Sequence, residues 1–143
     1  MDAFEKKTCK TARGYVYTYY TFEGVRSLPT LLFQHDWPDH AEMWKGIAER
    51  LVDTRTPIVI LDMLCYDGTD EPTDPAEYRW DAMTKDLIDI IDTEQVDKVI
   101  SSAMTRGLRV PPVSTTTTPT VSLVARFSTF PTTRRFVSPL ILM

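Results

Sequence analysis

Along the first hundred residues, apolar and polar positions alternate in blocks whose period switches between two and three to four. Tyr15, Tyr17 and Tyr19 alternate with Val16, Thr18 and Tyr20, the period-two pattern of a strand. After a turn at Phe22-Glu23-Gly24, Pro29 opens the run Thr30-Leu31-Leu32-Phe33, short and continuously apolar like a strand buried on both faces. Trp44, Ile47, Ala48, Leu51 and Val52 then recur at three-to-four spacing, with Glu42, Lys45, Glu49 and Arg50 opposite, and predict an amphipathic helix. Pro57 precedes a second apolar run, Ile58-Val59-Ile60-Leu61, and a turn-rich stretch extends from Met63 to Pro75. A second helix is predicted with Met83, Leu87, Ile88, Ile90 and Ile91 inward and Asp81, Lys85, Asp86, Asp89 and Asp92 outward. Val96-Asp97-Lys98-Val99-Ile100 begins a third apolar strand. This order of strands and helices predicts βαβ units in a mostly parallel sheet with flanking helices, an α/β fold.

Composition changes the picture near residue 100. Residues 1–100 hold all 20 acidic residues and 11 basic ones, a balance of −9, whereas residues 101–143 hold five Arg and no Lys, Asp or Glu. Those last 43 residues also carry nine Thr, six Ser and five Pro. The chain therefore divides into residues 1–100, a partial α/β domain, and residues 101–143, a Ser/Thr/Pro/Arg-rich tail expected to be irregular. At 143 residues and a pI of about 5.1, one domain and no nucleic-acid partner are expected. No apolar run reaches 18 residues, and Met1 to Lys10 has no apolar core of a secretory signal. Two cysteines, Cys9 and Cys65, make no disulfide framework and fit free thiols in a reducing cytoplasm. The pattern of residues carries no information on oligomeric state.

Ligand sites in such sheets lie beyond the carboxyl ends of the strands. The loop after the first buried run is His35-Asp36-Trp37-Pro38, followed by Asp39 and His40. A metal reading would use His35, Asp36, Asp39 and His40, but two histidines five apart on a loop are unspecific, and no metal or other cofactor is expected. The acidic stretch from Asp62 to Asp74 lacks the ligand spacing of a calcium-binding loop and reads as a solvated turn.

Taken together, the two loops resemble the α/β-hydrolase superfamily, and within it the epoxide hydrolases. His35-Asp36-Trp37-Pro38 stands where that family has His-Gly-x-Pro. Asp62-Met63-Leu64-Cys65-Tyr66-Asp67-Gly68-Thr69-Asp70-Glu71-Pro72 stands where it has Asp-x-x-Gly-x-Gly-x-Ser continued by Asp-x-Pro. Pro75-Ala76-Glu77-Tyr78, Met83, Asp86-Leu87 and Asp92 are similar to the helix that precedes the family's nucleophile. The resemblance covers roughly residues 15–100 and implies the N-terminal portion of an α/β-hydrolase fold. It implies that His35 orders the loop, that the backbone N–H of Trp37 serves an oxyanion hole, and that Asp62, Gly68, Thr69, Asp70 and Pro72 shape the second loop. The intact family's chemistry is attack of an Asp on a small hydrophobic epoxide, with hydrolysis of the resulting ester by water and a His base. Asp36, Cys65 and Asp67 depart from the pattern, each replacing a glycine, and a side chain at Asp36 restricts φ where the loop turns.

The family's nucleophile follows its fifth strand in the motif Gly-His-Asp-x-Gly-[Ser/Ala]. This chain reads Ser101-Ser102-Ala103-Met104-Thr105-Arg106-Gly107, with no catalytic residue identified and no histidine after His40. A triad of Ser101 or Ser102 with His35 lacks the glycine-flanked elbow that such chemistry needs. Joining the last base of each codon to the first two of the next recovers the motif. Met104 into Thr105 gives GAC, which encodes only Asp, and the flanking codons permit Gly, His, Gly and Ser or Ala. The codons from Ser114 to Val121, regrouped likewise, permit Tyr-Asn-Tyr-His-Pro-Asp-Arg, a run similar to epoxide hydrolases at this place. The expectation is an epoxide-hydrolase-like chain whose frame shifts near Ile100, catalytically incomplete as written. Two alternatives stay open. One is a fragment of a haloalkane or haloacid dehalogenase-like hydrolase. The other is a non-catalytic interaction module whose genuine tail presents Arg106, Arg109, Arg126, Arg134 and Arg135 to an acidic partner.

Overall fold

The computed structural model of the chain describes residues 2–103 and, as backbone, residues 120–125. Strands β1 (Glu5–Lys10), β2 (Val16–Phe22), β3 (Thr30–Gln34), β4 (Ile58–Leu61), β5 (Lys98–Ala103) and β6 (Thr120–Ala125) form one sheet in the order β1-β2-β4-β3-β5-β6. The centre of the sheet is parallel, with β3 between β4 and β5. The outer pairings, β1 with β2, β2 with β4 and β5 with β6, are antiparallel. Helix α1 (Lys45–Leu51), entered and left through short 3-10 turns, connects β3 to β4. Helix α2 (Trp80–Thr93) connects β4 to β5.

Alternation along each strand sends successive side chains to opposite faces, and the two helices cover one face each. Phe33, Ile58 and Ile60 pack with Ala41, Trp44 and Ala48 on the α1 side, with the Phe33 and Trp44 rings 4.8 Å apart. Tyr17, Tyr19, Leu32, Val59, Leu61 and Val99 pack with Met83 and Ile90 on the α2 side. Ile47, placed on the inner stripe by spacing alone, is 51% exposed. The 3-10 turn before α1 sets the helix phase so that Ala41, Trp44 and Ala48 take the inward positions at spacings of three and four.

Asp86, expected on the solvent side of α2, is fully buried. Its Oδ2 accepts from Arg13 Nη1 at 2.6 Å and from Tyr17 Oη at 2.9 Å. Arg13 also donates to the Glu77 carbonyl and carboxylate, so the guanidinium spans two acids. Strand β1 escaped the pattern because Glu5-Lys6-Lys7-Thr8-Cys9-Lys10 is an edge in which Cys9 alone is buried. The strand predicted to begin at Val96 starts at Lys98 and continues through Ser101 to Ala103, across the composition boundary. From the tail, residues 120–125 pair with β5, Leu123 opposite Ile100. Arg106, Arg109, Arg126, Arg134 and Arg135, together with Met104 to Pro119, lie outside the described residues.

Candidate functional site

Strands β3 and β4 run parallel and in register, Gln34 opposite Leu61, so the loops that leave them emerge side by side. These are the His35–Pro38 loop and the Asp62–Pro72 loop. His35 joins them. It is buried, and its ring lies edge-on to Tyr66 at 4.6 Å. The backbone N–H of Met63 donates to His35 Nε2 at 3.0 Å, which leaves the proton on Nδ1, facing the Asp36 carbonyl at 3.4 Å. Burial pushes the pKa of His35 down, so the neutral ring persists as this bridge.

Asp62 anchors the second loop. It is fully buried, its Oδ1 accepts from the Ala41 N–H at 2.7 Å, and Oδ1 stands 3.8 Å from His35 Nε2. Burial pushes its carboxyl pKa up. The loop is thus not a fully solvated turn: Asp62 and Thr69 are interior, while Asp67, Asp70, Glu71 and Asp74 are exposed. Thr69 Oγ1 donates to the Asp62 carbonyl at 2.9 Å and accepts from the Thr18 N–H at 3.0 Å. The Gly68 carbonyl accepts from Thr18 Oγ1, and Asp70 exchanges hydrogen bonds with Val16 through both its backbone N–H and its Oδ2. The Pro72 carbonyl accepts from Tyr78 Oη at 2.7 Å. The loop is sewn to the start of β2, and its shape is fixed by these bonds.

The glycine replacements have different consequences. Cys65 adopts φ 74° and Asp67 φ 32°, left-handed conformations that glycine takes without cost. The backbone keeps a glycine-like path with side chains on it. Cys65→Gly is therefore expected to raise unfolding stability by about 0.5–1 kcal/mol, read by chemical denaturation. Asp36 does not take a positive φ, so restricted φ is not what distinguishes it. Its effect is through its carboxylate: the Trp37 N–H donates to Asp36 Oδ1 at 2.8 Å. The Trp37–Pro38 peptide is cis.

Beside this loop lies a cavity of about 130 Å³ lined mainly by Trp37, Met63, Tyr66, Tyr78, Trp80 and Met83. Trp37 and Trp80 remain 72% and 49% exposed, giving the mouth an aromatic rim. A larger cavity of about 350 Å³ sits at the other end of the sheet, between Thr21–Thr30 and Glu94–Lys98. It borders the start of the parallel strands, the end opposite to where sites of this architecture form. Ser101 is a buried strand residue whose Oγ accepts from Gln34 Nε2 at 2.7 Å, so its hydroxyl is held within the sheet.

The strand order, the crossover helices and the two abutting loops give the described residues the architecture of the N-terminal part of an α/β-hydrolase fold. Solved structures of epoxide hydrolases share this arrangement. A Vigna radiata epoxide hydrolase variant superposes with TM-score 0.67 at 26% identity, over 75% of this chain and 32% of that one. Epoxide hydrolase A from Mycobacterium thermoresistibile matches in fold, with TM-score 0.63 at 22% identity over 70% of this chain and 31% of that one. An α/β hydrolase from Novosphingobium aromaticivorans gives 0.62 at 19% identity over 71% and 35%. The fold is that of the N-terminal part of an epoxide-hydrolase-like α/β hydrolase. The chain spans about a third of the length of these structures. No protein-family model and no curated protein matches it. Among the described residues, no helix is long and apolar enough to cross a membrane.

Proposed function

We propose that residues 1–100 are the front of a hydrolase that opens small hydrophobic epoxides through an Asp-ester intermediate. We further propose that the tail, residues 101–143, is read one base out of step, leaving the chain catalytically incomplete. The observation that carries this reading is the register of β3 and β5. Ala103 lies abreast of Gln34, one residue before the His35 loop, and the regrouped codons give Asp across Met104 and Thr105, just after the strand. A carboxylate at that point in the chain follows the strand that adjoins the candidate oxyanion loop and the aromatic cavity. In the intact reaction its oxygen attacks an epoxide carbon and the ring C–O bond breaks. Water, deprotonated by a His base, then hydrolyses the ester. The Trp37 N–H would stabilise charge on the acyl oxygen in that second step. The free thiols Cys9 and Cys65 fit a reducing, cytoplasmic compartment.

The test is the DNA across codons 100–121 read in all three frames, joined to an assay. The Gly-His-Asp-x-Gly reading is expected in a second frame, and the purified 143-residue chain is expected to turn over no epoxide above a boiled control. A chain with the frame restored is expected to be active. Absence of that reading, or turnover by the chain as it stands, overturns the proposal.

A further inference from the structure

We propose that His40, Asp62 and Asp67 form a binding site for one divalent cation that accepts mixed imidazole and carboxylate ligands, of the Zn²⁺ or Co²⁺ type. The three residues come from separate places: His40 precedes the 3-10 turn at Ala41–Trp44, Asp62 follows β4, and Asp67 lies in the second loop. One ligand atom from each lies within 4.8 Å of the other two. Metal–ligand bonds of about 2.0–2.2 Å set ligand atoms roughly 3–3.5 Å apart, so a modest inward turn of the side chains closes the set. His40 and Asp67 are exposed and free to make that turn, whereas Asp62 is fixed.

The independent pointer to a ligand is Asp62 itself. Oδ1 is held by the Ala41 N–H, while Oδ2 is buried and has no hydrogen-bond partner among the described residues. A buried carboxylate oxygen without a partner is costly, and a cation beside it removes that cost. The Ala41 bond orients the carboxylate as an outer-shell partner orients a metal ligand. Two carboxylates and a neutral imidazole balance a doubly charged ion. One nitrogen and two oxygens suit zinc or cobalt, and calcium's larger all-oxygen shell is not available from these three. Such an ion would clamp the loop after β3 to the loop after β4, with water completing the coordination. None of the three lines the aromatic cavity, whose wall includes His35, 3.8 Å from Asp62.

Co²⁺ titration of the full 143-residue chain, followed by visible absorption and thermal unfolding, tests this. The expected result is one Co²⁺ per chain with d–d bands, no near-ultraviolet thiolate charge-transfer band, and a raised unfolding temperature reversed by chelator. His40→Ala and Asp67→Asn, both at exposed positions, are each expected to weaken binding about 10–100-fold and abolish the thermal shift. Absence of saturable binding overturns the proposal. So does binding that survives both substitutions, or a thiolate band that puts the ion on Cys9 or Cys65.

Discussion

Under the proposed function, in which the Trp37 N–H serves an oxyanion hole, Asp36→Gly in a chain with the reading frame restored after Ile100 is expected to raise epoxide turnover about 100-fold. An oxyanion-hole donor acts only when its N–H is available to the charge that develops on the substrate. Here the Trp37 N–H is already taken by Asp36 Oδ1 at 2.8 Å. The same carboxylate also brings negative charge to a place where the transition state gathers more, so it opposes the reaction twice. Glycine removes both effects. Asp36→Asn keeps an oxygen in the capping position and loses only the charge, so it is expected to recover a small part of the rate. Asp36→Ala removes the cap and is expected to approach the glycine variant, because Asp36 does not occupy a positive φ. The contact is also accessible in the 143-residue chain without any assay of activity. Faster amide exchange at Trp37 in Asp36→Gly is the expected sign, and an unchanged rate would show that the carboxylate does not hold that N–H.

This contact marks the limit of what residue order conveys. The motif His35-Asp36-Trp37-Pro38 shows that a family glycine is replaced, and the backbone cost is the consequence that order alone suggests. The three-dimensional consequence is a side chain folding back on the next residue's N–H, which depends on loop geometry. The strands β2, β3 and β4 were legible because their burial follows simple periods: alternation in Tyr15–Tyr20, and continuous apolar runs where both faces are covered. The β1 edge was not, since a strand that buries only Cys9 has no period to read. The resemblance expects His35 to order its loop, and in the structure its Nε2 accepts from the Met63 N–H of the neighbouring loop. The His40, Asp62 and Asp67 cluster has no signature in the sequence of either loop. The parallel register of β3 and β4 is what makes the loops neighbours.

Charge misled the pattern most at Asp86, and there the structure makes its largest stability prediction. Met83, Asp86 and Ile90 are spaced by three and four and share one buried stripe of α2, yet a carboxylate in that stripe reads as solvent-facing. Its partners, Arg13 and Tyr17, flank the start of β2, far away in sequence. Asp86→Ala is expected to destabilise the domain by about 3–5 kcal/mol in chemical denaturation, the range for removing one member of a buried ion pair. The loss has two parts: a mostly buried guanidinium loses its buried counter-charge and keeps only the half-exposed Glu77, and the Tyr17 hydroxyl is left unpartnered in the core. That hydroxyl's pKa is pushed well up by burial and by the adjacent carboxylate, so it remains a neutral donor at any ordinary pH. Tyr17→Phe alone removes a donor without stranding a charge and is expected to cost about 1–2 kcal/mol. In the double variant the two losses should fall short of additivity, because the Tyr17 bond is already broken once Asp86 is gone. Full additivity would show that Asp86 and Tyr17 act independently, and a cost below about 1 kcal/mol for Asp86→Ala would show that the carboxylate is solvated after all.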